Sequence, residues 1–127
     1  MPKSIYLDNN FLNAALRGIP FTPPPAIYVA LYTVAPGVGD AGTEVSAGDY
    51  FRQLVQFTVP VDGKVVSVDD VLFPVAQTFW GSIAAFTFMD ASAGGHILYI
   101  GNLSAPRTVD AQDQVRMPAG QLICIEA

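Results

Sequence analysis

Residues 31–53 read LYTVAPGVGDAGTEVSAGDYFRQ, and the rest of the chain is organised around this stretch. It begins as the end of a strand, continues as a glycine- and aspartate-rich segment, and ends as the start of a second strand. Its glycines open backbone conformations with positive φ, and Pro36 interrupts strand pairing. An irregular loop of roughly 15 residues in a small domain is usually functional or disordered. No residue in it suggests catalysis, so we interpret it as a contact loop in an assembly.

The composition indicates a protein that buries much of its surface against partners. The chain has 127 residues, enough for one domain. Hydrophobic residues make up 51% of it and charged residues only 13%, against a usual charged fraction of about 25%. The mean hydropathy is +0.38. Contact with other subunits explains such a thin charged surface.

The charge pattern argues against nucleic acid as a partner. The net charge is −5 and the pI is about 4.4. Binding to a phosphate backbone requires clustered lysine and arginine, whereas the six basic residues are scattered, with no two adjacent. No apolar run approaches the ~18 residues of a membrane span. The first residues, MPKSIYLDNN, lack the apolar core of a signal peptide. We therefore expect no membrane partner and no secretion.

One short helix is predicted near the N-terminus. Residues 4–17 place apolar side chains at steps of three and four residues, which indicates a helix with a single apolar stripe. Ser4 is a suitable N-cap, and Gly18 can close the helix in a left-handed conformation. Such a helix packs either on the core of its own domain or on a neighbour.

A proline-rich arm follows the helix. Residues 21–25 read FTPPP, and consecutive prolines favour an extended polyproline conformation. The arm is either a rigid connector to the first strand or an extension that reaches along a partner. We assign residues 1–25 to an N-terminal helix and arm, and residues 26–127 to a β domain.

Short strands are predicted along most of residues 26–127. Residues 26–33 are rich in β-branched and aromatic residues and are apolar on both faces, which predicts a central strand. The pair Asp62-Gly63 predicts a hairpin turn. The predicted strands are 26–33, 50–59, 64–68, 71–75, 82–89, 96–102, 106–111, 114–118 and 121–126. Because no periodic helices lie between them, we predict a mainly β fold, a single antiparallel, jelly-roll-like β-sandwich.

No arrangement of residues suggests an enzyme, a metal site or a cofactor. Asp69 and Asp70 are adjacent, so a strand would point them to opposite faces, and they are better explained as turn residues. His96 and Cys124 are the single histidine and the single cysteine and lie in separate segments. Zinc binding needs more such ligands. The loop around Asp40 lacks the ligand spacing of a calcium loop. We expect no catalytic residue, metal or cofactor, and we expect a buried thiol at Cys124.

Aromatic residues offer one alternative, the binding of sugars by stacking. Tyr50 and Phe51 lie beside the long loop, and Trp80 lies in a predicted turn. An exposed Trp80 would be a candidate stacking surface. The other interpretation is that Trp80 plugs one end of the sandwich.

Several blocks of the chain resemble a family of small tailed-bacteriophage virion proteins, whose members often carry a label such as tail fibre-like protein. The resemblance covers most of the chain, and its most specific part runs from Glu44-Val45-Ser46 to Arg52-Gln53. The similar blocks are YVALYT at 28–33, PG at 36–37, GTEVS at 42–46, YFRQ at 50–53, VLFPVA at 71–76, WG at 80–81 and MDA at 89–91.

The resemblance implies a virion structural protein, assembled in the host cytoplasm. A chain of this size lacks the long repetitive shaft of a fibre and is more similar to a compact unit on a lattice. We therefore predict a capsid cement or decoration protein that bridges major capsid subunits, acting as a homo-trimer. Its partners would be the major capsid protein or other copies of itself. The alternative is a tail, baseplate or fibre component, including a glycan-binding sandwich.

The expected contact residues lie in the helix, the arm and the loop. They are Phe11, Leu12, Phe21, Pro23, Pro24, Pro25, Pro36, Gly37, Gly42, Glu44 and Tyr50. Arg52 stands at the base of the loop. We expect it to pair with Glu44 or Asp49 and thereby to fix the loop.

Overall fold

The computed structural model of the protein describes residues 1–126, and residue 127, the last of the predicted β domain, lies outside the described residues. One helix and nine strands occur in the described part. They are α1 (Ile5–Leu16), β1 (Ile27–Val34), β2 (Thr43–Glu44), β3 (Gln53–Val55), β4 (Lys64–Val66), β5 (Val71–Leu72), β6 (Gly81–Met89), β7 (Ile97–Val109), β8 (Arg116–Met117) and β9 (Ile123–Ile125).

The first layer is a five-stranded antiparallel sheet built around β1. One edge of β1 pairs with β6, which in turn pairs with β7. The other edge is shared, since β3 pairs with the first half of β1 and β2 with the second half. Residues 29–32 of β1 are at most 3% exposed. The predicted central strand is therefore confirmed.

The second layer consists of short ladders. β4 pairs with β9, and β5 pairs with β8, both antiparallel. The segment before β4 also pairs back on it, through bridges Phe57–Ser67 and Val61–Lys64. Asp62 and Gly63 have φ values of 52° and 73°, as a type I′ turn requires. The predicted Asp-Gly hairpin is confirmed.

The core lies between the two layers. Val29 and Phe88 of the five-stranded sheet belong to one buried cluster with Val71 of β5 and Cys124 of β9. Phe73, next to β5, is completely buried at its centre. This arrangement confirms the predicted antiparallel β-sandwich. It also buries the Cys124 thiol, and burial raises the pKa of that thiol.

The predicted N-terminal helix is confirmed within one residue at each end. The Ser4 hydroxyl accepts a hydrogen bond from the Leu7 amide at 3.2 Å, as an N-cap does, and donates one to the Ile97 carbonyl at 2.5 Å. Gly18 has φ +67° just beyond the last turn. The Ser4 amide also bonds to the Leu98 carbonyl, so the helix starts against the edge of β7.

Three of the predicted strands differ most from the structure in their bounds. The separate strands predicted at 96–102 and 106–111 are one strand, β7, because pairing with β6 continues past an irregularity between Ile83 and Ala85. The strand predicted at 50–59 is reduced to β3. Pairing with β1 begins at Gln53, because β2 occupies the same edge of β1 further along, and it ends at Val55, because Val55 lies opposite Ile27, the first residue of β1.

The proline-rich arm lies along its own chain. The Phe21 ring meets the Phe11 ring of α1 edge-on, with centroids 5.7 Å apart. Pro23, Pro24 and Pro25 line a small cavity of about 180 Å³ together with residues of α1 and β7. The arm therefore connects α1 to β1 while covering part of the helix.

Candidate contact surfaces

The long loop is anchored by a partly buried ion pair. Arg52 donates from Nε and Nη2 to the two carboxylate oxygens of Glu44, at 2.9 and 2.8 Å. Its Nη1 donates to the carbonyls of Ala91 and Gly94, each at 2.8 Å. The Arg52 side chain is only 9% exposed. One guanidinium group thus joins β2, the start of β3 and the turn between β6 and β7.

Tyr50 completes this cluster. Its hydroxyl donates to Glu44 Oε2 at 2.7 Å and accepts from the Leu31 amide at 2.9 Å. Burial, and then the hydrogen bond to Glu44, raise the pKa of the Tyr50 hydroxyl far above its usual value. Partial burial would raise the pKa of Glu44, but the hydrogen bonds from Arg52 and Tyr50 outweigh it and hold that pKa below its ordinary value. The cluster is therefore an ionised, internally satisfied group.

Asp49 joins the end of the loop to the segment before β6. Its carboxylate accepts from the Gln77 amide, the Thr78 hydroxyl and the Trp80 indole N–H. The hydrogen bond from Gln77, followed by the others, lowers the pKa of Asp49. Arg52 consequently pairs with Glu44, whereas Asp49, the other partner considered, has a separate structural role.

Two of the three aromatic residues considered for sugar stacking are not available. Trp80 is 5% exposed and meets the Tyr50 ring edge-on at 5.5 Å. Tyr50 itself stacks on Phe73 at 6.1 Å. Of the three, only Phe51 presents its ring to solvent, with 64% exposure. Trp80 plugs the sandwich, and the three rings form no common stacking surface.

The predicted contact residues divide into exposed and internal groups. Leu12, Pro23, Pro25 and Gly37 are exposed. Pro36 is buried, and the rest are half-buried in contacts within the chain: Phe11, Phe21, Pro24, Gly42, Glu44 and Tyr50. That these residues contact a partner stays a prediction. Within the chain, Phe11 packs on Phe21, and Glu44 and Tyr50 belong to the hydrogen-bonded cluster around Arg52.

Gly42 has a conformational role instead. Its φ is +61°, and a Cβ there would lie 2.7 Å from the Pro36 nitrogen and 2.9 Å from its Cα. Only glycine tolerates both constraints. The loop therefore folds closely back on the end of β1.

One apolar surface lies on the outside of α1. Ile5, Leu12 and Leu16 are 49%, 56% and 78% exposed. With Asn9 they recur at steps of four, three and four residues, so they share one face of the helix. We call these four residues the helix stripe. Sequence periodicity predicted the apolar stripe but not its orientation, and the buried helix residue is Leu7.

A second apolar surface lies on the outer side of the β4–β9 ribbon. Val61 pairs with Lys64, and Lys64 pairs with Ile125, so these three side chains share a face. Val68 and Ile123 follow at even spacing on the same face. The four apolar members, Val61, Val68, Ile123 and Ile125, are 44–66% exposed. We call them the ribbon face. The alternation of side chains along residues 121–126 is the sequence signal that could have indicated the ribbon face.

The comparison with known protein families decides the family. Residues 2–124 match the model of the family described as podophage GP4 fiber I protein gp80. The chain belongs to this family. Among curated proteins, no match was found.

Membership in the gp80 family identifies a virion structural protein of a tailed phage, which confirms the resemblance. The helix in residues 1–126 of this gp80-family chain is too short to cross a bilayer. Among the same residues, no three His, Cys, Asp or Glu side chains gather as metal ligands would.

Three residues of the most specific block of the resemblance are used within the gp80-family fold. Glu44 and Arg52 form the partly buried ion pair, and Val45 is 5% exposed in the core. Their side chains therefore organise the fold around the loop. The helix stripe, the ribbon face and Phe51 are instead among the exposed apolar surfaces of the chain.

Proposed function

We propose that this gp80-family protein is a structural subunit of the phage tail fibre apparatus that acts by contact and not by catalysis. The observation that carries the proposal is the family match over residues 2–124, whose description names a fibre protein. That description supports the fibre alternative better than the capsid cement function predicted from the sequence.

The surface of the chain supports a contact role. The helix stripe and the ribbon face each expose several aliphatic side chains by more than 40%. Exposed apolar clusters of this kind mark sites of protein–protein contact. We propose that the partners are other copies of this chain and neighbouring virion proteins. The net charge of −5 supports protein rather than nucleic acid as the partner.

The chemistry of the polar clusters supports the non-enzymatic part of the proposal. The carboxylate oxygens of Glu44 and Asp49 accept hydrogen bonds from other groups of the same chain. His96 pairs with Asp90 at 3.0 Å and stacks on the Tyr6 ring at 3.8 Å. Each of these side chains therefore has a structural explanation.

The test is the copy number of the protein in purified virions, measured by quantitative mass spectrometry against the major capsid protein. A fibre subunit is expected at roughly a few to a few tens of copies, because a tail offers few symmetric positions. A count on the order of hundreds would contradict the fibre assignment and restore the capsid cement function, because a shell multiplies each local site. Absence from virions would contradict both. Labelling of virions with an antibody to the protein then checks the location by electron microscopy.

A further inference from the structure

Helix α1 is apolar on two opposite faces. Leu7 faces inward and is 2% exposed, and Phe11 packs on Phe21 of the arm. The opposite face carries Ile5, Leu12 and Leu16, which are about half exposed or more. A surface helix of a globular domain normally carries polar residues on its outer face. The outer face of α1 is therefore suited to burial against another molecule.

The spacing of the helix stripe indicates the kind of molecule. Ile5, Asn9, Leu12 and Leu16 follow steps of four, three and four residues, the spacing of the d and a positions that form the seam of a coiled coil. A seam of this pattern is covered by another helix. Asn9 is its single polar member. It is exposed, and among residues 1–126 its side chain makes no hydrogen bond.

Asn9 selects the orientation of the partner helix. An antiparallel copy of the stripe would place Asn9 opposite Leu12 and bury an amide without a partner, which is costly. A parallel copy places Asn9 opposite its equivalent, where the amide oxygen of one accepts from the amide nitrogen of the other. A single asparagine at an a position fixes register in this way in coiled coils. The helix stripes of two copies of the chain are therefore complementary when the helices are parallel.

The rest of the domain holds the stripe ready for contact. Ser4 caps the helix, and the Ile5 amide donates to the Val38 carbonyl at 2.9 Å. Val38 and Ile19, whose backbones bond to the two ends of the helix, are themselves 49% and 43% exposed. A helix of 12 residues is marginal alone. Because this one is already ordered on its domain, packing would not cost the entropy of forming it.

We propose that copies of this chain associate by parallel packing of their α1 helices through the helix stripe, in a closed cyclic oligomer with Asn9 against its equivalents. The inference rests on the proposed contact function and identifies the partner as a second copy of this chain.

The first experiment measures molar mass by light scattering over a series of protein concentrations. The double variant Leu12→Glu/Leu16→Glu places like charges in the seam. The matched control is Leu54→Glu/Val59→Glu, which makes the same change at aliphatic residues 54% and 82% exposed, outside both the helix stripe and the ribbon face. We expect an oligomer for the native chain and the control. We expect self-association at least about 100-fold weaker for the stripe variant. Circular dichroism checks that all three are folded.

The second experiment tests the parallel orientation by disulfide formation in a Cys124→Ser background. Asn9→Cys should form a disulfide-linked pair readily on mild oxidation. Ala14→Cys is the control, because it is exposed but lies on the other side of the helix. A native chain that is monomeric at every concentration would overturn the proposal. Retention of native mass by the stripe variant, or equal cross-linking at both positions, would overturn it as well.

These outcomes separate this inference from the proposed function. A monomeric chain found in virions at fibre copy number would overturn the helix interface alone. A chain that oligomerises through the stripe but is present in hundreds of copies would overturn the fibre assignment alone.

Discussion

Arg52 shows how one side chain organises a long loop. Its guanidinium group bonds to Glu44 in a two-pronged arrangement and to two carbonyls of the turn between β6 and β7. Because the planar fork of arginine matches a carboxylate, such pairs are geometrically specific as well as strong. A glycine-rich loop that would otherwise be irregular is thereby held to the sheet.

Replacing Arg52 with alanine tests this role. The change leaves the Glu44 carboxylate partly buried without its cation, and it removes the donor to the Ala91 and Gly94 carbonyls. We expect the free energy of unfolding to fall by about 2–4 kcal/mol, measured by urea denaturation. Hydrogen exchange should accelerate in residues 41–47 and 91–95. Arg17→Ala, at an exposed helix end, serves as the control and should change stability by less than about 0.5 kcal/mol. Unchanged exchange in both segments would remove the loop-fixing role of Arg52.

At the scale of elements, the loop between β1 and β3 is a folded connection with a short strand of its own. β2 pairs with the end of β1 at Tyr32 and Val34 across an irregular register. Gly42 makes the return possible, since its φ is +61° and the backbone of Pro36 lies where a side chain would be. The loop conformation depends on this glycine more than on its neighbours.

The pair of variants Gly42→Ala and Gly48→Ala isolates that dependence. Gly42→Ala combines left-handed backbone strain with a steric clash, so we expect a loss of about 1–3 kcal/mol in unfolding free energy. Gly48 has open space around its Cα and no positive φ of this kind, so its substitution should have an effect within about 0.5 kcal/mol. Thermal denaturation of the two proteins side by side gives the answer. Equal melting temperatures would show that the close return of the loop is not required.

At the scale of the whole molecule, carboxylates connect segments that are distant in sequence. Glu44 and Asp49 connect the loop to the sheet and to the segment before β6. Asp70 accepts from Arg116 and from the Ala119 amide, which joins the start of β5 to the segment around β8. Glu126 pairs with Lys3 and accepts from the Tyr99 hydroxyl, which joins the two ends of the described chain.

These four carboxyl groups predict the pH dependence of stability. Hydrogen bonds from the Ala119 amide and then Arg116 lower the pKa of Asp70. For Glu126, burial opposes the shift, but hydrogen bonds from Lys3 and Tyr99 outweigh it and lower the pKa. Together with Glu44 and Asp49, all four have a pKa below the ordinary value. A carboxyl with a lowered folded-state pKa stabilises the fold above its unfolded pKa and loses that contribution as the pH falls.

We therefore expect the free energy of unfolding to fall progressively from about pH 5 downward. Urea denaturation at several pH values between 7 and 3 measures it. Glu44→Gln should be less stable than the native protein near neutral pH and should show a shallower fall in acid. If the free energy of unfolding stayed constant or rose as the pH fell from 7 to 3, these carboxylates would not be ionised structural links.

Much of the architecture could be predicted from local sequence. The central strand β1, the helix with its Ser4 cap and Gly18 end, and the Asp62-Gly63 turn all follow from spacing and turn chemistry. Each depends on residues close together in the chain. The length of β7 could not be predicted this way, because Pro106 and the polar residues around it suggest a break. β6 pairs with residues on both sides of this segment, up to Asn102 and again from Arg107, so the two stretches form one strand across a shift in register.

Composition, alternation and motif spacing were enough to predict the class of the fold, the thin charged surface and the resemblance to phage virion proteins, because packing does not alter these features. Burial and ion pairing could be read only from the three-dimensional structure. Trp80 lies in the core, Arg52 pairs with Glu44 and not with Asp49, and Leu12 and Leu16 are exposed. Which apolar residues are buried and which charged residues pair depends on which distant segments meet, and the packing of the two layers sets that.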